Sequence, residues 1–444
     1  MKHHKPGWSL GTVLTLLLTI TVTAGCLLLF SRMHGDDTGV QMDAQRVIGL
    51  MSAAFQGPTA VPEPLQSPVR TVKVTLAPVT AAPATDTPPP SEPPPATPTP
   101  AAQPPYTFSL TAGGLLAFQS DISDSVYNKT EKTADYRPIL TGISGKVYAD
   151  LNLVTLPQLI NGSDRKYGDN VALTEAADAV RSLGVDEVIL GSEHILDQGT
   201  QGASETISAL TSRGLSCGGV SISGASQHRL VPLNGGTVAL LSYTDALTAK
   251  SKNTRNDAPE TLKPFSLEAA REDIRWARGQ GARCVIVCLY WGKTDATSVT
   301  SAQRNTALAL AEMGADVILG TRPSRVLPME IITCTGADGK TRSAFVAYSL
   351  GTLLTESREG YDISGLLLHL TVSIDSQGRA QFESAEYTPT YIWRQSANGS
   401  MQYRVVCSAD PAPAEMNSQQ QEVMQRALTR VQTILKNSPV TQRP

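Results

Sequence analysis

Few side chains in this sequence combine the type and the spacing for chemistry, and the clearest pair is His194 and Asp197. They stand three apart, just after a short apolar run over 185–190 that reads as a strand. An imidazole and a carboxylate so placed serve as an acid/base pair or as a hydrogen bond that braces a loop. Glu193 beside them adds a carboxylate and the option of a metal ligand. Arg322 and Arg325 share one loop, where two guanidiniums either hold an anion through forked hydrogen bonds or sit in water. Trp291 and Trp393 suit a core or a pocket wall better than a platform for sugars. His228 and His369 read as structural, His369 because it lies in an apolar strand. No Cys-x-x-Cys pair and no Cys/His cluster with zinc spacing occurs.

The elements that must position these residues alternate. Leu173, Ala176, Ala177, Val180 and Leu183 recur at helical spacing before Gly184. Helices are also expected over 200–213, 266–278 and 301–313, the first and last stopped by Gly214 and Gly314. Between them, 237–243, 282–291, 316–319 and 342–350 read as short strands. This βα alternation predicts an α/β core with buried strands. Stretches 364–374 and 379–390 alternate around Asp375-Ser376-Gln377-Gly378 and predict a hairpin. Stretches 391–394 and 402–407 flank Asn398-Gly399, a second hairpin signal. A polar helix is expected over 415–436, with Val423, Leu428, Val431 and Leu435 as its apolar positions.

Charge and composition narrow the partners. Lys and Arg number 37 against 40 Asp and Glu, a net charge of -3, and no basic block occurs in the folded part. That excludes an extended nucleic-acid surface. Six cysteines are scattered; Cys284 and Cys288 fall on one face of an expected strand, about 13 Å apart and beyond the reach of a disulfide. The five downstream cysteines read as small core hydrophobes.

The N-terminus predicts a location. Residues 8–30 carry no charge, and about 20 apolar residues suffice to cross a bilayer as a helix. Lys2 and Lys5 precede the run, so residues 1–7 are expected in the cytoplasm and the rest outside. The expectation is an uncleaved signal anchor at 8–30, a juxtamembrane segment at 31–56 and a Pro/Thr/Ala-rich linker at 57–105. Many of the 29 prolines fall in that linker, whose composition buries no core and favours a disordered, extended stalk. A folded domain over 106–410 and a C-terminal helix and tail over 411–444 complete the expected order. Such a chain is a single-pass cell-membrane protein with its folded domain extracellular.

The order of motifs resembles the CapA family, the bacterial poly-γ-glutamate capsule-synthesis proteins, over roughly 107–406. Leu190-Gly191-Ser192-Glu193-His194-Ile195-Leu196-Asp197-Gln198-Gly199 is similar to the family's Asn-Asn-His-x-x-Asp-x-Gly. Ser242-Tyr243-Thr244-Asp245 resembles Ala-Tyr-Thr-Asp, and Cys288-Leu289-Tyr290-Trp291-Gly292 resembles a strand ending His-Trp-Gly. Gly320-Thr321-Arg322-Pro323-Ser324 with Pro328-Met329-Glu330 resembles Gly-His-x-Pro-His followed by Pro-x-Glu. Ser349-Leu350-Gly351-Thr352-Leu353 resembles Ser-Leu-Gly-Asn-Phe.

The resemblance implies a metallophosphatase-like α/β fold, a two-sheet sandwich flanked by helices. It also implies divalent ions at the strand ends that polarise the reacting centre and lower the pKa of a bound water. It makes His194 and Asp197 the catalytic candidates. Glu193, Asp245, Tyr290, Trp291, Arg322, Arg325 and Glu330 become candidates for the binding cleft.

The departures from the family pattern bear on activity. Gly114 stands where the family places its first Asp, and Thr155-Leu156-Pro157 where it has Asn-Leu-Glu. Ser192 and Glu193 replace two asparagines, Tyr290, Thr321 and Ser324 replace histidines, and Thr352 replaces an asparagine. Too few donors remain for the four to six bonds of a catalytic ion. The expectation is therefore no metal, no other cofactor, and a binding or scaffolding version of the fold tied to capsule, exopolymer or cell-wall processes. Its partners would be the membrane and an anionic exopolymer, a wall glycan or a capsule-machinery protein. The alternative is a divergent metal-dependent hydrolase that rebuilds a site from His194, Asp197, Glu193 and Asp150 or Asp245.

Overall fold

The computed structural model describes residues 104–443 apart from 164–166, 169, 234, 337–338, 358–362 and 398. The expected anchor, juxtamembrane segment and nearly all of the stalk lie outside the described residues. Among the described residues no helix is long and apolar enough to cross a membrane.

Nine strands make the larger sheet: β1 (Tyr106–Leu116), β4 (Leu151–Thr155), β7 (Glu187–Ile189), β8 (Ser216–Gly218), β15 (Thr352–Leu354), β16 (Ser364–Ile374), β17 (Ala380–Ala397), β18 (Ser400–Cys407) and β19 (Thr441–Gln442). Their order is β18-β17-β16-β1-β4-β7-β8, with β15 beside the end of β1 and β19 beside β17. The β1-β4-β7-β8 half is parallel and the β1-β16-β17-β18 half antiparallel. The smaller sheet holds β9 (His228–Leu233), β10 (Gly236–Thr244), β11 (Ala282–Tyr290), β12 (Val317–Thr321), β13 (Met329–Thr335) and β14 (Thr341–Ala347). Its order is β13-β14-β12-β11-β10-β9, with the four central strands parallel and both edges antiparallel. Two small pairs complete the strands: β2 (Tyr127–Asn128) with β3 (Thr133–Ala134), and β5 (Leu159–Gly162) with β6 (Val171–Leu173).

Alternation along β11 shows why the two sheets stack. Cys284, Ile286 and Cys288 point into a core shared with Phe108, Leu110 and Leu368 of the larger sheet. Val285, Val287 and Leu289 point the other way, against Ala270, Ile274 and Leu310 of helices. A strand buried on both faces has to be apolar almost throughout, and this one is. Each such Leu or Ile contributes about 1.5–3 kcal/mol by leaving water.

Helices α1 (Ser120–Val126), α2 (Arg137–Leu140), α3 (Ala176–Ser182) and α4 (Gly199–Thr211) cover the outer face of the larger sheet. Helices α6 (Leu267–Gly279) and α7 (Ser301–Met313) cover the smaller one. The result is the α/β core that the alternation predicts, in the two-sheet arrangement that the resemblance implies. Two helices sit apart from these layers, α5 (Ala249–Asp257) and α8 (Ser418–Leu435). Val431 and Leu435 of α8 join the core between the sheets, while Met424 and Ala427 pack with Trp393.

The structure departs from the sequence expectations in four places. The helix expected over 173–183 begins only at Ala176, because Leu173 ends a strand that pairs with β5. The two hairpins share a strand: β17 runs unbroken for 18 residues through both. Helix α5 was not expected, since Ser251 is its one buried residue and it has no apolar stripe. Cys334 is half-buried on edge strand β13, whereas Cys217, Cys284, Cys288 and Cys407 are buried as expected; all five are free thiols.

Candidate functional site at the strand ends

The chain leaves β7 and folds tightly over the end of β10 before entering α4. A Cβ added at Gly191 would stand 2.6 Å from the Ser242 hydroxyl, and one at Gly219 only 2.3 Å from the Gly191 nitrogen. This close crossing needs the glycines, and it carries Glu193, His194 and Asp197 into one loop. Helix α5 then clamps that loop. Thr248 caps the helix and donates its backbone N–H to the Glu193 carbonyl at 3.2 Å. Thr248 Oγ1 donates to Asp197 Oδ1, and Ser251 Oγ donates to the same oxygen at 2.8 Å. Ser251 Oγ also accepts the Leu196 N–H at 3.2 Å.

His194 Nδ1 lies 2.7 Å from the second Asp197 oxygen. Burial pushes the Asp197 carboxyl up, but the bonds from Thr248, His194 and Ser251 outweigh it and hold the group below its ordinary range. An ionised Asp197 fixes the proton of His194 on Nδ1 and leaves Nε2, 3.8 Å from Glu193 Oε1, as the outward nitrogen.

The smaller sheet supplies the facing groups from the ends of three adjacent parallel strands. Asp245 follows β10; its Oδ2 accepts the Gly292 N–H at 3.2 Å. Asp245 is exposed as a residue, yet partial burial raises its carboxyl despite that bond and the nearby Arg322 charge. Tyr290 closes β11, and its hydroxyl donates to Glu193 Oε1 at 3.0 Å. Burial, then the Glu193 charge, push this phenol far up. Arg322 follows β12 with φ of 96°, a left-handed backbone uncommon for a long side chain. One guanidinium nitrogen donates to the Gly292 carbonyl, the other to Glu193 Oε2 at 3.1 Å.

Glu193, His194, Asp197, Asp245, Tyr290 and Arg322 thus come together. Two other candidates do not join them. Trp291 stacks on Tyr348 at 5.9 Å, with its indole N–H on the Tyr348 carbonyl at 3.1 Å, in the core under α6 and α7. Glu330 lies on β13, where it takes the Tyr348 hydroxyl and Arg304 at 2.9 Å. Arg325 is partly buried farther along the connection that Arg322 begins. Asp150 precedes β4 and bonds Ser109 at the opposite end of the sheet. His228 pairs with Asp273 at 3.0 Å, and His369 is held between Thr111 and Thr388.

Thr248 and Ser251, which orient Asp197, are not among the residues that the sequence singles out. Their only signal is a capping residue, Thr248, ahead of a polar segment.

The donor set does not fit the divalent ion that the resemblance implies. Both Glu193 oxygens accept bonds from the chain, and a guanidinium stands among the carboxylates. A Cβ at Gly114 would lie 2.1 Å from the Gly351 carbonyl oxygen, so this backbone leaves no room for a ligand there. Among the described residues, no group of three or more His, Cys, Asp and Glu side chains gathers to hold an ion.

Two stacked mixed sheets with polar loops at the ends of their parallel strands define an α/β sandwich whose candidate site lies at the strand ends. Residues 109–357 match the family described as bacterial capsule synthesis protein PGA_cap, and the chain belongs to that family. It is 24% identical over 265 residues to the PGA biosynthesis protein CapA of Bacillus subtilis (strain 168), a match that covers 58% of this chain and 60% of that protein. It is 25% identical over 186 residues to the capsule biosynthesis protein CapA of Bacillus anthracis, covering 41% of this chain and 43% of that one. The chain therefore spans less than two thirds of either relative. Among solved structures it is similar to the Haemophilus influenzae NAD nucleotidase, with a TM-score of 0.41, 11% identity, and 76% of this chain and 64% of that one covered. A 5'-nucleotidase precursor from Thermus thermophilus gives a TM-score of 0.40, 13% identity, and coverage of 74% and 59%.

Proposed function

We propose that this protein is a membrane-anchored, extracellular member of its family that serves capsule, exopolymer or cell-wall processes by binding, with a metallophosphatase-like fold that holds no catalytic ion. The observation that carries the reading is Glu193, whose two oxygens meet Tyr290 and Arg322 of the facing sheet. An ion would have to share those oxygens with an O–H and a guanidinium N–H, against the guanidinium charge. The uncharged run at 8–30 and the Pro-rich linker support anchoring and projection from the membrane. Its partner would be an anionic exopolymer, a wall glycan or a capsule-machinery protein.

One observation favours a second reading, a divergent metal-dependent hydrolase: the His194–Asp197 pair is oriented as an acid/base pair would be. Elemental analysis of the purified full chain, with phosphatase assays in manganese, separates the two. The binding reading expects less than stoichiometric metal and no manganese-dependent turnover. Stoichiometric metal that disappears in His194→Ala would defeat it.

A further inference from the structure

We infer that Glu193 is a built-in stand-in for the ligand: its carboxylate occupies an anion site made by Arg322 and Tyr290, and the cleft takes a carboxylate-bearing ligand that displaces it. This rests on the binding reading above and names the chemistry that the cleft would accept.

Three observations converge. First, among the described residues only Lys132, Ser223 and Arg322 have positive φ without being glycine. A long side chain persists in that conformation where its surroundings hold it, and such positions cluster at ligand clamps. Second, the Arg322 guanidinium is incompletely satisfied. Its terminal nitrogens reach the Gly292 carbonyl and Glu193, while Nε is buried without a partner. A guanidinium is built to grip a planar carboxylate with two donors at once, so a carboxylate free to choose its approach makes a better partner than one tethered to the 190–198 loop. Third, few contacts hold the Glu193 carboxylate: Tyr290 at 3.0 Å, Arg322 at 3.1 Å and the His194 edge at 3.8 Å. The loop itself is fastened elsewhere, by Thr248 and Ser251 on Asp197. Glu193 can therefore swing out without unfolding its support. Its side chain and that of Arg322 are 21% and 20% exposed, so solvent reaches the pair.

Charge selects the class of ligand. Asp245 already feels the Glu193 charge. One carboxylate group of a ligand that replaces Glu193 leaves the local charge near Arg322 as it was, the ligand's other carboxylates standing away from the guanidinium. A phosphate dianion would add a second negative charge beside Asp245, with one guanidinium to meet it.

The test is calorimetric titration of the full-length chain in detergent with glutarate, with a galacturonate trimer, and with inorganic phosphate. Glu193→Gln keeps the shape and removes the competing charge; it should tighten glutarate binding about tenfold or more, since a charge-assisted bond to Arg322 is freed. Arg322→Met should abolish binding in both backgrounds. Tyr290→Phe in the Glu193→Gln background should weaken it several-fold, which keeps the test valid if Arg322→Met does not fold. An equal gain for the galacturonate trimer assigns the carboxylate to an acidic glycan, and a gain confined to glutarate assigns it to a non-glycan polymer; both support the inference. It is overturned if no variant binds glutarate, if Glu193→Gln binds no tighter than the native chain, if binding survives Arg322→Met, or if phosphate binds more tightly than glutarate. Arg322-dependent binding that ignores Glu193 defeats this inference alone. A stoichiometric divalent ion defeats the reading beneath it.

Discussion

Gly114 offers a direct way to ask whether the missing carboxylate can be put back. A Cβ at this position would stand 2.1 Å from the Gly351 carbonyl oxygen and 3.0 Å from that of Leu350. Carbon and oxygen that are not bonded stay more than about 3 Å apart, so the Gly351 carbonyl would have to retreat by about 1 Å. That carbonyl accepts the Leu115 N–H at 3.0 Å, where β15 joins the end of β1. Orphaning a buried donor costs about 1–3 kcal/mol, and overpacking a dense core about 1–3 more. Gly114→Ala should therefore lose about 2–6 kcal/mol, and Gly114→Asp at least as much, because its charge is buried too. Against a typical total of about 5–15 kcal/mol, a folded population should survive to be measured. Denaturant unfolding of the full chain, followed by circular dichroism with and without millimolar manganese, reads both effects. The midpoint should fall for both variants, and manganese should leave Gly114→Asp unchanged. If Gly114→Ala stays within about 1 kcal/mol of the native chain, or manganese raises the Gly114→Asp midpoint, the backbone at Gly114 does not close the site.

Three further outcomes can be checked by unfolding measurements. Burial pushes the Asp273 carboxyl up, but bonds from His228, Lys263 and Tyr243 hold it at about 2 against an ordinary 3.8. Its contribution is present above about pH 4 and lost as pH falls towards 2, worth about 2 kcal/mol. Asp273→Asn should flatten that part of the stability profile; an unchanged profile sinks the assignment. Burial, with the Arg443 and Lys146 charges, holds His369 at about 4, below its ordinary 6.5. The unfolded chain then takes up the proton first, so stability falls as pH drops from about 6.5 to about 4, by about 3 kcal/mol, and His369→Gln should remove that limb. Replacing both Thr248 and Ser251, as Val and Ala, leaves Asp197 with His194 alone and should destabilise the protein by about 1–3 kcal/mol. No loss would mean that α5 does not clamp the loop.

How much could be read in advance depended on whether a residue's role is local. Helix α7 was legible to the residue, because Thr300 and Gln303 form a capping box at one end and Gly314, at φ of 117°, stops the other. Strand β11 was legible because an unbroken apolar run between two helices has few other fates. The start of α3 was not, since Leu173 fits a helical stripe as well as a strand end. Helix α5 left no apolar trace, yet it holds Asp197. In the site, His194 and Asp197 were readable as a pair because they stand three apart on one short loop. The partners of Glu193 were not, because Tyr290 lies 97 residues away and Arg322 lies 129. Only the sheet order, which sets β10, β11 and β12 side by side, brings those ends together. Trp291 and Tyr290 are adjacent in sequence and both looked like cleft residues. Alternation along a strand sends them to opposite faces, and Trp291 goes to the core.

The chemistry of the cleft turns on what kind of cation stands at its centre. A carboxylate oxygen that accepts a proton donor offers a divalent ion only its remaining lone pair while that donor stays. A lysine or histidine could leave by losing its proton, so a site built on either would open to metal as pH rose. A guanidinium keeps its charge throughout the range in which the fold survives. Arg322, braced on the Gly292 carbonyl, therefore opposes a divalent cation at every accessible pH. The same fixed charge attracts an anion, and the tethered anion already there is Glu193. In the proposed reading a single arginine thus makes this site select among carboxylates, while the two sheets that frame it keep their packing.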